Sequence, residues 1–343
     1  MFEVVNRTRF LDALIPGLDR EDVAHLTVLL KGTFRIPARG GPATWVEDQV
    51  PIRHADEIAG LESTGSVRQE SDVSPAKPGT DVVLLGHAYA GASSKTTVDV
   101  SLWVGPLRKV VRVIGDRVWT RAGAAWIASH PAPFERMPLA YERAFGGADL
   151  TDPDPAQRAA DERNPAGTGF VLAGQRDRLQ GLRLPNLEDP ARLIGDWRDR
   201  PPVAGFGWVS RAWLPRRRFA GTFDPAWTRE RAPLLPHDFD ERFFNGAPAD
   251  QVVTPHLLGG ERVWLANASA GGALAFELPR VKLRVDVQID ATAETRVPKL
   301  DTVVIEPDLE RVTLCWRDTV RCGRRLRQVR RVVVREERGG SGA

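Results

Sequence analysis

The chain has 343 residues, 42% of them hydrophobic and 27% charged, with a formal net charge of +3. That length supports a substantial core, and the composition excludes a wholly disordered chain, a fibrous protein and a disulfide-stapled mini-protein. The longest stretch without Asp, Glu, Lys or Arg runs from Val263 to Phe276, and those from Val82 to Ser94 and from Ala122 to Phe134 are nearly as long, all short of the roughly twenty residues of a membrane-spanning helix.

The opening residues, Met1 to Asp12, mix charged and apolar positions and lack the basic start and apolar run of a secretory signal, so a cytoplasmic location is expected. From there the text is that of strands. His25 to Ile36, Asp81 to Tyr89, Thr97 to Val104 and Lys109 to Ile114 are short and rich in Val, Leu, Ile, Thr and Trp. Between about Gly146 and Gln251 it changes to Asp-Pro, Asn-Pro, Pro-Pro and Leu-Pro steps with Trp197, Trp208, Trp213 and Trp227 interleaved. A disordered linker is poor in aromatics, so this segment reads as ordered coil packed on the sheets by its tryptophans. Its one modest helical pattern is Pro155 to Arg163.

Strand patterns return at Ala273 to Leu278, Val281 to Ile289, Thr302 to Ile305 and Arg311 to Trp316. In Val281 to Ile289 the residues Leu283, Val285, Val287 and Ile289 alternate with charged and polar ones, the signature of a half-buried strand. Pro307 and Asp308 form the turn of a hairpin between two β-rich arms. Nine arginines from Arg317 to Arg338 stand against Asp318, Glu336 and Glu337, so the rest of the chain is net acidic. The β-branched residues among them predict a solvated edge strand, and nucleic-acid binding is the weaker reading of this run.

The expected fold is mainly β, with antiparallel sandwich-like sheets, long ordered Pro-, Gly- and Trp-rich loops and few short helices. The expected division is a β-rich part over 1–145, the irregular segment 146–250 packed on the sheets, a second β-rich part over 251–338 and a flexible tail 339–343.

The search for chemistry is mostly negative. None of the lysines follows a glycine, which excludes a Walker loop. Gly167 to Gly174 has the wrong glycine spacing for a dinucleotide loop. Asn267-Ala-Ser-Ala-Gly271 has Asn where a nucleophile elbow needs its first glycine. The six histidines are scattered, and Cys315 and Cys322 are too few and wrongly spaced for a redox or zinc motif, so no cofactor or metal is expected. Arg53-His-Ala-Asp56 offers an imidazole and carboxylate pair. Residues His237, Asp238, Asp240 and Glu241 offer groups for acid and base work, the basis of an alternative reading as a hydrolase acting on a polysaccharide or envelope substrate.

Several phrases recur in a recognisable order. Leu29-Leu-Lys-Gly-Thr-Phe34, the run from Asp72 to Val82, Gly86-His-Ala-Tyr-Ala90, Gly115-Asp-Arg-Val-Trp119 and Met137 to Gly147 come first. Asn164 to Gly169, Leu184-Pro-Asn-Leu-Glu188, Trp213 to Trp227 and Leu235 to Gln251 follow. Over roughly residues 1–280 the chain resembles a bacterial domain of unknown function encoded beside the spike and effector genes of type VI secretion systems. The resemblance implies a non-enzymatic adaptor or chaperone that binds a toxic effector and assists its loading onto the VgrG or PAAR spike, with effector and spike protein as partners. It implies no catalytic residue. Its motif residues here, carried as possible partner-binding positions, are Lys77, Asp81, Asp116, Trp119, Arg143, Asn164, Asn186, Glu188, Trp213, Asp238, Asp240 and Asn245. By composition, Trp197, Trp208, Trp213 and Arg216 to Arg218 suit an interface core if exposed and the protein's own core if buried.

Overall fold

The computed structural model describes residues 3–61, 64–91, 95–149, 154, 158–172, 174–323 and 326–337. The expected tail 339–343 lies outside them. The fold is mainly β, and the two α-helices among the described residues, Leu214–Arg217 and Pro225–Glu230, are short.

The largest sheet runs edge to edge as Val252–Val253, Thr80–Leu84, Lys299–Glu306, Arg311–Arg321, Ala24–Arg35 and Leu11–Leu18, with Thr44–Trp45 pairing the end of Ala24–Arg35. Its neighbours are antiparallel except Thr80–Leu84 beside Lys299–Glu306. Residues from opposite ends of the chain thus share one sheet, since Arg311–Arg321 pairs with Ala24–Arg35 over its whole length. The expected hairpin forms around Pro307–Leu309, with Glu310 at φ +50° closing the turn. Leu11–Leu18 carries Pro16, whose missing N–H is tolerated because this strand is an edge.

A second sheet is ordered Leu187–Glu188, Leu107–Ile114, Thr97–Val104, Arg262–Ala266 and Leu274–Glu277. A third is ordered Glu3–Asn6, Val329–Glu336, Leu283–Ile289 and Thr292–Arg296. The inner faces of the three sheets meet in one apolar core. Leu26, Val28 and Leu314 come from the first sheet, Val100, Leu102 and Leu265 from the second, Val285, Val287 and Val332 from the third. The alternation expected in Leu283–Ile289 is present, with Leu283, Val285 and Val287 buried.

The large sheet is also covered on its other face, where Val83 and Val304 pack against Val67, Trp208 and Ala247. Burial on both faces is why Ala24–Arg35 is buried at every position but its last and reads as a nearly continuous apolar run. The irregular segment supplies part of the cover.

Three expectations are corrected. The run Asp81 to Tyr89 divides into Thr80–Leu84 in the large sheet and His87–Tyr89, which pairs with Arg136–Pro138. The break is at Gly86, at φ +149°, where a Cβ would stand 3.1 Å from the Asp308 carboxylate. The basic strand Val329–Glu336 is interior, held between parallel Glu3–Asn6 and antiparallel Leu283–Ile289. Its arginines still face outward, Arg331 to Glu3 at 3.0 Å and Arg335 to Asp286 at 2.9 Å. Its second neighbour comes from the far end of the chain, which no local pattern announces. Finally, residues 155–157 of the helical pattern Pro155 to Arg163 lie outside the described residues, and the described remainder, 158–163, is a bridge at Ala160 and a turn rather than a helix.

Candidate functional site

On the covered face of the large sheet, beside the apolar patch of Val83 and Val304, several side chains that alternate with the core-facing ones are charged. Ala24–Arg35 turns Lys31 to this face, Arg311–Arg321 turns Cys315 and Arg317, and Thr80–Leu84 turns Asp81. Lys31 meets Asp72 at 2.6 Å, and Arg317 pairs with Asp301. Lys77 meets Asp81 at 2.7 Å and Glu70 at 3.6 Å, and Arg216 meets Glu70 at 2.5 Å. All eight groups are buried. Four cations face four carboxylates, so the network is neutral, which is the condition for keeping charge inside a protein.

Burial pushes the Glu70 carboxyl upward, but Arg216, Lys77 and Arg211 outweigh it and hold the group below its ordinary range. Burial likewise opposes charge on Lys77, and Asp81 and Glu70 outweigh that and raise it. The Cys315 thiol is pushed up to about 12 by burial and then by Asp72, so it stays protonated and unreactive. The space among Lys31, Asp72, Lys77, Trp208, Cys315 and Arg317 is only about 20 Å³. That admits a molecule the size of water, whereas small-molecule sites take hundreds of Å³.

Asp81 and Asn245 link this network to the irregular segment. Asp81 accepts from Asn245 Nδ2 at 2.9 Å and from the Gly246 amide at 2.9 Å, and Asn245 also donates to the Gly79 carbonyl at 3.0 Å. Asn245 ends the short turn Glu241–Phe244, which Asp240 begins by accepting from the Arg242 amide. Arg242 and Asp240 also form an ion pair at 2.5 Å, which holds the Asp240 carboxyl below its ordinary range. Asp238 accepts from both the amide and the hydroxyl of Thr222, and these bonds depress it too. Both carboxylates therefore act as turn anchors, each favoured in its charged form. His237 is exposed and contacts Arg231 at 3.2 Å.

The remaining motif residues fall in other places. Asp116, Arg143 and Asn186 form one cluster: Arg143 donates to Asp116 at 3.2 Å and to Asn186 at 2.9 Å, and Asn186 donates to the Ile114 carbonyl at 2.9 Å. Glu188 is buried against Arg117 and accepts from the Ile194 amide at 2.8 Å. Asn164 donates to the carbonyls of Tyr141 and Phe145, and Gly146, at φ +149°, leaves no room for a Cβ against the Asn164 carbonyl. Trp119 packs with Val171, Leu179 and Leu184. Trp213 is 1% exposed and meets Tyr141 edge-on at 5.3 Å.

Trp208, Trp213 and Arg216 are thus buried and supply no interface, while Trp197 is half-buried and Arg217 and Arg218 are exposed. Composition gave no means of telling these apart. Residues missed at the sequence level are Lys31, Glu70, Asp72, Asp301 and Arg317. The available signal was a charged residue at an alternate position inside an apolar strand run, as at Lys31 and Arg317.

A groove opens on the surface beside the irregular segment. A hollow of about 500 Å³ beside Leu107–Ile114 and another of about 400 Å³ beside Phe219 share Val209, Pro215, Pro248 and Ala249 as walls, so they adjoin. Among the described residues, no group of three His, Cys, Asp or Glu is placed to hold a metal ion. Among them also, no helix is long and apolar enough to cross a membrane.

No curated protein and no solved structure matches the chain. A family model does match, over residues 21–317, which takes in most of the large sheet, the buried ion network and the irregular segment packed on them. The chain belongs to the family described as uncharacterized protein conserved in bacteria, DUF2169.

Proposed function

We propose that the protein is a non-enzymatic adaptor of type VI secretion, which binds a toxic effector in the cytoplasm and assists its loading onto the VgrG or PAAR spike. The observation that carries this reading is where the polar motif residues direct their hydrogen bonds. Lys77, Asp81 and Asn245 bond to one another and to backbone, as do Arg143, Asn186, Asn164 and Glu188. Residues held in this way build a rigid scaffold, and the surface left to function is suited to another chain. Asp238 and Asp240, the carboxylates of the hydrolase alternative, are engaged in the same manner as turn anchors.

The test is an affinity pull-down of the tagged chain from its native host at moderate salt, with mass spectrometry of what co-purifies. Stoichiometric recovery of an effector or spike protein is the expected result. A clean preparation, together with undiminished effector delivery in a strain lacking the chain, refutes the adaptor.

A further inference from the structure

The strand Leu107–Ile114 has eight residues, but its outer neighbour Leu187–Glu188 covers only Arg112 and Val113. The Ile114 amide donates to Asn186 on that side. The two-residue period of a strand turns the backbone groups of Val110 and Arg108 the same way. Among the described residues no strand pairs with them there. Both side chains are exposed. An unpaired stretch of backbone donors and acceptors is a template for an added strand.

The groove formed by the two adjoining hollows begins at this open edge. Its shared walls, Val209, Pro215, Pro248 and Ala249, are apolar. Asp250 neutralises Lys109 at 2.8 Å, while Asp189 accepts from the Ala191 amide at 2.9 Å and keeps its negative charge. Arg216 and Arg242 are engaged by Glu70 and Asp240, and Arg163 by Asp161. Two lining cations have no carboxylate partner among the described residues. Arg108, at the strand edge, lies over the Trp103 ring at 4.9 Å, and Arg218, at the far end, lies over Phe219 at 4.6 Å. Arg108 in one hollow and Arg218 in the other outweigh the single unpaired carboxylate of Asp189, and a net positive apolar groove is complementary to an acidic chain.

We propose that this groove binds an extended acidic segment of a protein partner, which adds as a strand to the edge at Arg108 and Val110 and runs on to place a carboxylate at Arg218. The inference rests on the adaptor reading and names its contact surface.

The probe is a fluorescein-labelled decapeptide of alternating Glu and Val, titrated by anisotropy against the full chain. Binding that weakens with salt is expected, as is a loss of about tenfold or more in Arg218→Glu, a change at an exposed side chain. The same peptide N-methylated at alternate amides along either edge tests strand addition without altering the protein, and one of the two methylated forms is expected to lose binding. Failure of the Glu-Val peptide to bind, equal binding of a Lys-Val peptide, or indifference to Arg218→Glu or to both methylation patterns overturns the proposal. The two readings fail separately. If the wild-type chain recovers an effector or spike protein from the host and Arg218→Glu recovers as much, the groove is wrong and the adaptor stands. If the wild-type chain recovers nothing and effector delivery is undiminished in a strain lacking it, the adaptor fails, while the peptide titration still decides the groove.

Discussion

Lys77 Nζ lies 2.7 Å from Asp81 Oδ2 with both side chains inside the protein, and Glu70 stands 3.6 Å from the same ammonium. Removing one partner of such a pair leaves an uncompensated buried charge. Lys77→Met is expected to destabilise the fold by about 3–5 kcal/mol. Urea unfolding followed by tryptophan fluorescence measures it. A loss below about 1 kcal/mol means the ammonium is not the counter-charge that the geometry makes it.

Asn245 connects the irregular segment to the same carboxylate through one amide group that donates to Gly79 and Asp81. Asn245→Ala leaves Asp81 and the Gly79 carbonyl short of a donor in a buried site, at about 1–3 kcal/mol. Hydrogen exchange is expected to quicken first in residues 241–251, because their tie to the large sheet is what was cut. Uniform quickening over the whole chain would show that the segment has no independent opening.

The pH dependence follows from the directions of the two shifts. Glu70, held below its ordinary value of 4.5, gives stability that is complete above that value and lost as pH falls through the lower folded value. Lys77, raised above its ordinary 10.5, gives stability that is complete below that value and lost as pH rises through the higher folded value. Thermal melts are therefore expected to show a plateau between these limits as far as this cluster is concerned. In Lys77→Met the alkaline fall should shrink, and an unchanged alkaline limb would contradict the assignment.

Cys315 is 1% exposed, with its thiol pushed up to about 12. Cys322 is also buried. Neither thiol is expected to react with a disulfide reagent at neutral pH in the native protein, and both should react once urea unfolds it. Rapid labelling of Cys315 without denaturant would show that the buried network opens to solvent.

Asp240 caps the turn that ends on Asn245. Asp240→Ala is expected to cost about 0.5–2 kcal/mol as a lost cap and to leave recovery of partner proteins unchanged. Release of product from peptidoglycan or glycans by the parent, abolished in Asp240→Ala, would instead revive the hydrolase reading.

The strands in which one face is buried and the other wet were legible from period alone, as in Leu283–Ile289, and so was the hairpin turning at Pro307. Leu11–Leu18 was not, because Pro16 and Gly17 read locally as a turn and an edge strand is one of the few strand settings that accept a proline. The interior position of Val329–Glu336 was hidden because its neighbour Glu3–Asn6 is more than three hundred residues away in sequence.

By itself the sequence determined that this is a mainly β protein with a tryptophan-bearing irregular middle, and its phrases pointed to a bacterial family of unknown function. Those features are local: side-chain period, turn chemistry and composition act within a few residues. Only the tertiary structure decided that Trp208 and Trp213 are buried while Arg218 is free, that Lys31, Lys77, Arg216 and Arg317 meet four carboxylates under one sheet, and that Leu107–Ile114 keeps an open edge. Burial and pairing depend on what the rest of the chain brings alongside, and for these residues the neighbours come from distant segments.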